Sequence, residues 1–149
     1  MTTAPAVLSP AQEAAIRQSF ARQGLMAALG VEMVRLGPGR AELRLPHSER
    51  ISQQQGGFHG GAIGALADVA GGYAAMTLAP EGDEVTTVEY KSNFLAAFAG
   101  GELRAYGRVI RAGKRLIITT AEVMHRDEDG AETVCAVMQQ TIAPVPKRY

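Results

Sequence analysis

One carboxylate interrupts the most apolar segment of the chain, the run FHGGAIGALADVAGGYAAM at residues 58–76. Asp68 is the only formally charged side chain between positions 51 and 80. Burying an unpaired carboxylate is expensive, so an acid in such surroundings is either partnered or useful. If it is useful, it is a general base or a nucleophile in a dry site. If it is structural, it caps a backbone amide or pairs with an arginine of a neighbouring element.

A second group with potential chemistry, His59-Gly60-Gly61, lies at the predicted start of the same helix. A helix N-terminus offers unpaired N–H groups and a positive dipole end, and glycine lets a substrate approach the backbone. These features suit an oxyanion site for an acyl carbonyl. The structural alternatives are a tight turn at the glycines, and a neutral cap or a satisfied core histidine at His59.

The spacing of these two groups has a geometric consequence. His59 and Asp68 are nine positions apart, which in a helix gives opposite faces and about 13 Å of axial rise. Gly60 and Asp68 are still about 12 Å apart along the axis. If both ends act together, the second component comes from another copy of the chain, and a two-fold axis would create two equal sites. The sequence therefore predicts an obligate homodimer with composite sites.

Hydrophobic patterns predict the elements that position these groups. Ser9-Pro10-Ala11-Gln12 is typical of a helix start, and the helix is predicted to continue to Gly30. Residues 60–78 are too long and too rich in alanine for a strand, so they predict a helix that is apolar on nearly all sides and buried. Alternation and β-branched residues predict strands at 31–36, 40–45, 85–94, 102–111, 116–125 and 133–143. Small residues on one face of the 102–111 strand suggest that a bulky element lies close to it.

The length and composition limit the class of protein. The 149 residues suit a single α+β domain, with residues 1–30 as an N-terminal extension containing a helix. Fifteen basic and fifteen acidic side chains argue against a nucleic-acid partner. The apolar segment is mostly Ala and Gly with a central Asp, which argues against a membrane span. A lone cysteine, Cys135, and a start without a secretory signal predict a cytoplasmic protein.

One long hydrophobic helix embraced by an antiparallel sheet of five or six strands is the order of elements in the hotdog fold. The motif H-G-G-x-x-x-x-L-A-D, present at residues 59–68, resembles that of the phenylacetate-degradation (PaaI-type) hotdog acyl-CoA thioesterases. The run at 93–97, the Gly113-Lys114-Arg115 hairpin and the last strand are also similar, so the resemblance covers residues 31–143. It implies hydrolysis of acyl-CoA thioesters without a metal or redox cofactor. It also allows two dimers to pair into a tetramer.

The resemblance implies roles for individual residues. Asp68 matches the catalytic carboxylate, as base or nucleophile, and Gly60 matches the residue whose N–H polarises the thioester carbonyl. His59 matches the neighbour that supports that end of the site or the leaving thiolate. Gln53 stands where the family commonly has Asn. Thr87 matches a hydroxyl residue that positions water, and a slip of one residue would give that role to Thr86.

Three cations at one predicted hairpin, Arg111, Lys114 and Arg115, are candidates for binding the CoA phosphates, the alternative being a solvated turn. No G-x-S-x-G elbow is present, and Cys135 has the pattern of an inert buried strand residue. The histidines show no metal-binding spacing, so no metal is expected.

Two other functions remain open from the sequence. Hotdog hydratases and dehydratases also act on acyl thioesters, but the His-Gly-Gly run lacks the proline-rich surroundings typical of those enzymes. An acyl-CoA-binding module without activity would gain nothing from an acid in an apolar slot. The leading hypothesis is hydrolysis of an aryl- or medium-chain acyl-CoA.

Overall fold

A computed structural model describes residues 7–149 of the chain, in which one long helix lies against a six-stranded antiparallel sheet. The helices are α1 (Pro10–Ala21), α2 (Gly24–Leu29) and α3 (Gly60–Met76). The strands are β1 (Glu32–Gly37), β2 (Arg40–Pro46), β3 (Asp83–Phe94), β4 (Glu102–Ala112), β5 (Ile117–Arg126) and β6 (Glu132–Pro146). Their order across the sheet is β1-β2-β4-β5-β6-β3, which leaves β1 and β3 at the edges. The predicted α+β class, the long helix and all six strands are confirmed.

The N-terminal helix differs from the prediction of one helix ending at Gly30. It begins as predicted, with the Ser9 hydroxyl accepting a hydrogen bond from the Gln12 amide at 3.1 Å. It then breaks after Ala21, where the Arg22 amide bonds back to the last turn. Gly24 follows the break, and glycine costs about 1 kcal/mol in a helix interior. The chain restarts as α2, which buries Met26. The first six residues of the predicted extension lie outside the described residues.

Helix α3 packs tightly on β4 because a glycine on that strand leaves room for it. A Cβ at Gly107 would lie 2.1 Å from the carbonyl oxygen of Ala70, so no side chain fits there. This contact confirms the prediction that a bulky element lies on the small residues of β4. Leu66, Ala70 and Ala74 are fully buried. The contact fixes the height of α3 over the sheet, and with it the position of Asp68.

Burial of α3 on all sides was predicted, and this prediction is wrong for the single chain. Ala65, Asp68, Val69 and Gly72 are only partly buried. Their spacing places them on one helical stripe, which faces a gap between α2 and β3. The stripe is small and apolar apart from Asp68, so hydropathy alone could not separate it from the core-facing side.

Strand β3 presents an unpaired edge of 12 residues. Val88, Tyr90 and Phe94 are more than half exposed on it, and Leu95 follows in the same state. Long edge strands with exposed apolar side chains are unusual unless another chain covers them. Among residues 7–149, no helix is both long and apolar enough to cross a membrane.

Candidate active site

Asp68 lies halfway along α3, and its carboxylate is held by two uncharged donors. The Thr87 hydroxyl donates to Asp68 Oδ1 at 2.7 Å, and the Gln140 side-chain amide donates to the same oxygen at 2.9 Å. Within the described part of the chain, Asp68 forms no ion pair. Its partners therefore provide hydrogen bonds to the carboxylate but do not neutralise its charge. This observation excludes the arginine pair as an explanation for Asp68 within the described residues.

A β-bulge in β3 determines which threonine meets Asp68. Thr87 pairs with Ile142 and Glu89 with Thr141, so Val88 is the extra residue. Before the bulge, Thr87 points towards the helix, whereas Thr86 is exposed and does not bond Asp68. Bulges of this kind re-aim side chains beside functional sites. The structure thus selects Thr87 over Thr86 as the neighbour of Asp68, and its catalytic role stays a prediction.

Sequence analysis missed Gln140, the other partner of Asp68. It lies in β6 and is 1% exposed. The signal available in the sequence was its register: Ala136, Met138 and Ile142 share its strand face and are all buried. A glutamine at a core-facing strand position needs a polar partner, but the sequence does not show which element supplies one.

A cavity of about 400 Å³ opens beside Asp68 between α2, α3 and β3. Met26, Val69 and Val85 contribute apolar wall, and Gln23 and Tyr73 contribute polar groups. The Tyr73 hydroxyl contacts Ser19 at 3.0 Å and accepts from the Gln23 amide at 3.1 Å. Burial raises the pKa of Tyr73, against the effect of those hydrogen bonds, so it is neutral at physiological pH. The cavity therefore combines an apolar wall at Met26, Val69 and Val85 with polar groups and two acids, Asp68 and Glu84.

The first turn of α3 leaves one backbone donor without an acceptor. His59 is the N-cap, and its Nδ1 accepts from the Gly61 amide at 2.8 Å. The amides of Ala62 and Ile63 both donate to the His59 carbonyl at 3.0 Å. The Gly60 N–H donates to no acceptor in residues 7–149. The cap considered for His59 is thus what the structure shows, and within the described residues it leaves the predicted oxyanion donor free.

Gln53 lies in the loop before α3, and its side chain serves that loop. Its Oε1 accepts from the Gln55 amide, and its backbone amide donates to the Gly57 carbonyl at 2.9 Å. It is partly buried. Gln53 contacts neither Asp68 nor the cavity beside it in the described chain. Its predicted role in catalysis stays a prediction.

The predicted site residues fall into separate places in a single chain. Asp68 and Thr87 line the cavity, whereas His59 and Gly60 do not. Asp68 lies eight positions after Gly60 in α3, about 12 Å along the axis. One chain therefore holds an acid at one place and a free oxyanion donor at another.

Arg111, Lys114 and Arg115 are brought together by the β4–β5 hairpin. All three are exposed, and none forms an ion pair with the described residues. The hairpin lies at the end of the sheet where Ala75, near the C-terminus of α3, packs on Ile117 and Ile142. It is thus at the opposite end of α3 from His59 of the same chain.

Cys135 and the two remaining histidines, His47 and His125, make contacts that stabilise the fold. Cys135 is buried in β6, as predicted, and this burial raises the pKa of its thiol, which favours the unreactive protonated form. His47 bonds the Gly56 carbonyl, and His125 bonds the Gly100 carbonyl and stacks on Phe98. In residues 7–149, no three potential ligands converge on one point.

Comparison with known proteins identifies the family. The model of the thioesterase superfamily matches residues 55–132, a span that includes the His-Gly-Gly turn and Asp68. The chain belongs to the thioesterase superfamily. It has the hotdog fold of that superfamily and is a thioester hydrolase.

Individual members of the superfamily are similar over most of their length. A thioesterase family protein from Silicibacter pomeroyi has a structure that matches with a TM-score of 0.87 at 37% identity, covering 91% of this chain and 99% of that one. A Saccharolobus solfataricus protein named as an esterase is 36% identical over 68% of this chain and 71% of its own length. The 1,4-dihydroxy-2-naphthoyl-CoA hydrolase of Listeria monocytogenes is 28% identical over 84% of this chain and 98% of its own.

Proposed function

We propose that this thioesterase hydrolyses aryl- or medium-chain acyl-CoA esters to the free acid and CoA, in the manner of the PaaI-type enzymes. The observation that carries this proposal is the state of Asp68. Within residues 7–149 this carboxylate forms no ion pair, and it lies on an apolar helix beside a cavity whose lining is partly apolar. Such a group is available either to take a proton from water or to attack the thioester carbonyl itself.

The Gly60 N–H is proposed as the oxyanion donor. In the reaction, negative charge develops on the thioester carbonyl oxygen, and a fixed N–H at a helix start stabilises it. The Nδ1 atom of His59 accepts from the Gly61 N–H, so the neighbouring Gly60 N–H is available to bind the substrate. With Nδ1 as the acceptor, the neutral ring of His59 carries its proton on Nε2, where it is exposed and able to meet the leaving thiolate.

Two subunits are proposed to complete each site. Gly60 and Asp68 lie too far apart on one helix to hold the same carbonyl. The free edge of β3 and its exposed apolar side chains support a continuous sheet across a two-fold axis. The helix start of one protomer would then meet the carboxylate of its partner. Pairing of two such dimers is compatible with the same arrangement.

The proposed acyl class follows from the cavity and from one relative. A volume of about 400 Å³ is within the range of small-molecule sites, and the walls at Met26, Val69 and Val85 suit an apolar group. The similar Listeria enzyme is named for a naphthoyl-CoA substrate. The exposed cations Arg111, Lys114 and Arg115 are proposed to bind CoA phosphates. We expect no metal or redox cofactor, and we expect the cytoplasm, which holds acyl-CoA, as the compartment.

The test is release of free thiol from a panel of acyl-CoAs by wild type and by Asp68→Asn. We expect turnover of aryl- or medium-chain substrates, and a loss of about 10²- to 10⁴-fold in kcat on removal of the carboxylate. Binding of a non-hydrolysable acyl-CoA analogue should be retained. Asp129→Asn, in the exposed β5–β6 turn, is the matched control. Unchanged turnover in Asp68→Asn would remove Asp68 from the mechanism.

The same assay separates this proposal from its alternatives. With crotonyl-CoA, a hydratase adds water to the double bond and releases no thiol, whereas a thioesterase releases thiol. A binding module would hold the ligand and produce neither product. Addition of a chelator should leave the rate unchanged, and a loss that added metal restores would contradict the proposed cofactor-free reaction.

A further inference from the structure

The side chain of Gln140 is a buried amide whose hydrogen-bonding groups are all directed to specific partners. Its Nε2 donates to Asp68 Oδ1 at 2.9 Å and to the Asp68 backbone carbonyl at 2.9 Å. Its Oε1 accepts from the Thr119 hydroxyl at 2.9 Å. Thr119 is its cross-strand partner on β5 and is fully buried. The amide thus connects the sheet to the acid of α3.

These partners fix the orientation of the amide. Two acceptors of Asp68 face the same nitrogen, and a flipped amide would direct its oxygen at both of them. The Thr119 hydroxyl holds the other side as a donor. Gln140 thus bonds both the carboxylate and the backbone carbonyl of Asp68. It therefore fixes the position of Asp68 in addition to solvating its charge.

A glycine on α3 makes room for this arrangement. A Cβ at Gly71 would lie 1.6 Å from Gln140 Oε1 and 2.9 Å from Thr119 Oγ1. Any side chain at position 71 would therefore push the amide away from Asp68. The space next to Gly71 is thus filled by the side-chain amide of Gln140.

The two donors to Asp68 converge on one oxygen. Thr87 and Gln140 both bond Oδ1, and in residues 7–149 no group donates to Oδ2. Asp68 is partly exposed and lines the cavity. Oδ1 is thus saturated by the protein, and Oδ2 is the carboxylate oxygen left for chemistry.

We infer that Gln140, anchored by Thr119 and accommodated by Gly71, is a positioning residue that holds Asp68 so that Oδ2 is the reacting oxygen. The inference rests on the proposed role of Asp68 in thioester hydrolysis. With Asp68 as base, Oδ2 takes a proton from water, the water oxygen bonds the carbonyl carbon, the C–S bond breaks, and the proton passes to the thiolate. With Asp68 as nucleophile, Oδ2 bonds the carbonyl carbon and the C–S bond breaks to release thiolate. Water then cleaves the resulting anhydride to the free acid and the Asp68 carboxylate, and one proton of the water passes to the thiolate. Both routes need the same free oxygen.

A positioning role predicts an effect on turnover rather than on binding. The Gln140 amide bonds Asp68 and does not line the cavity beside it. Loss of the amide therefore lets the carboxylate leave its productive orientation, which lowers kcat and leaves KM little changed.

The experiment compares kcat and KM of three variants that disturb the amide in different ways. Gln140→Met keeps length and removes the donor, Thr119→Val removes the anchor, and Gly71→Ala displaces the amide. We expect kcat to fall about 10- to 100-fold in Gln140→Met, with KM changed less than about threefold. Thr119→Val and Gly71→Ala should also lower kcat more than they change KM.

The controls are the neighbours on the opposite face of the same strands, Gln139→Met and Thr120→Val, which should leave kcat and KM unchanged. An unchanged kcat in folded Gln140→Met, or a change in KM as large as that in kcat, overturns the inference. If Gln140→Met does not fold, Thr119→Val decides by the same criterion. Failure of the proposed function gives a different result, since wild type would release no thiol or Asp68→Asn would remain active.

Discussion

The first backbone N–H groups of α3 have no carbonyl acceptor in a preceding helical turn. In the described structure, the N–H of Gly60 is the one among them that donates to no other acceptor. Gly60 is also the first helical residue, where proline is well tolerated because its missing N–H has no helical partner. His59 before it is extended, at φ −67° and ψ 135°, as a residue preceding proline must be. The position therefore permits removal of a single donor.

We predict that Gly60→Pro lowers kcat by about 10²- to 10³-fold, because it removes the N–H that stabilises the oxyanion. The midpoint of thermal unfolding should stay near that of wild type. Gly60→Ala is the matched control, since it adds a side chain but keeps the donor, and a Cβ there meets only the Phe94 ring at 3.7 Å. Equal loss in both variants would show that the effect is steric and that the N–H is not the oxyanion donor.

Residues that act through local sequence were predictable, and residues that act through tertiary contacts were not. Asp68 stood out because a charge in an apolar helix has few explanations. Thr87 and Thr86 could not be separated, because the bulge at Val88 that aims one of them exists only in the paired sheet. Gln140 was missed because its partner lies 72 positions away, and no local pattern encodes that distance.

At the scale of elements, the outer face of β2 and β4 is held by a charged network. Arg104 donates to Glu102 at 2.7 Å and to Glu42 at 2.9 Å, and Arg44 bridges Glu102 to Glu32. Burial acts to raise the pKa of Glu102, but the hydrogen bonds and charges of both arginines outweigh it and lower this pKa. A lowered pKa contributes stability above the ordinary glutamate value of 4.5, and that contribution is lost as the pH falls through the lowered value.

We predict that Glu102→Gln lowers the free energy of unfolding by about 1 to 3 kcal/mol at pH 7. The difference from wild type should shrink as the pH falls below 4.5, since protonated Glu102 no longer pairs with the arginines. Urea denaturation at pH 7 and at acid pH measures both values. Glu122→Gln, an exposed acid on β5 outside the ion pairs of the described chain, should have little effect. A difference that does not change with pH would assign the stabilisation to packing.

The elements themselves followed from periodicity more closely than their junctions did. Alternation placed all six strands within a few residues, because each has one face on α3 or its surroundings. The break between α1 and α2 was not predicted, because it is stabilised by the burial of Met26, which depends on tertiary packing. The helical stripe that contains Asp68 and Val69 was predicted to be buried in the core. Sequence could not separate the two cases, because a helix face that binds a ligand or a second chain is as apolar as one that packs in the core.

At the scale of the whole molecule, the proposed site is divided between two places that one chain does not bring together. Asp68 borders the cavity between α2 and β3, and the Gly60 donor lies at the start of the helix. If two chains share each site, Asp68→Asn and Gly60→Pro damage different halves. A mixed dimer then has one site with both halves damaged and one site with both intact.

We predict that two nearly inactive variants, Asp68→Asn and Gly60→Pro, restore activity when they are unfolded together and refolded as a mixture. Random pairing makes half of the dimers mixed, and each mixed dimer has one intact site of two, so about a quarter of wild-type activity should return. Either variant refolded with the double variant should remain inactive, because no intact site can form. Activity that stays at the level of the separate variants, in a mixture shown to contain mixed dimers, would mean that each chain carries a complete site and that the division of Gly60 and Asp68 between subunits is wrong.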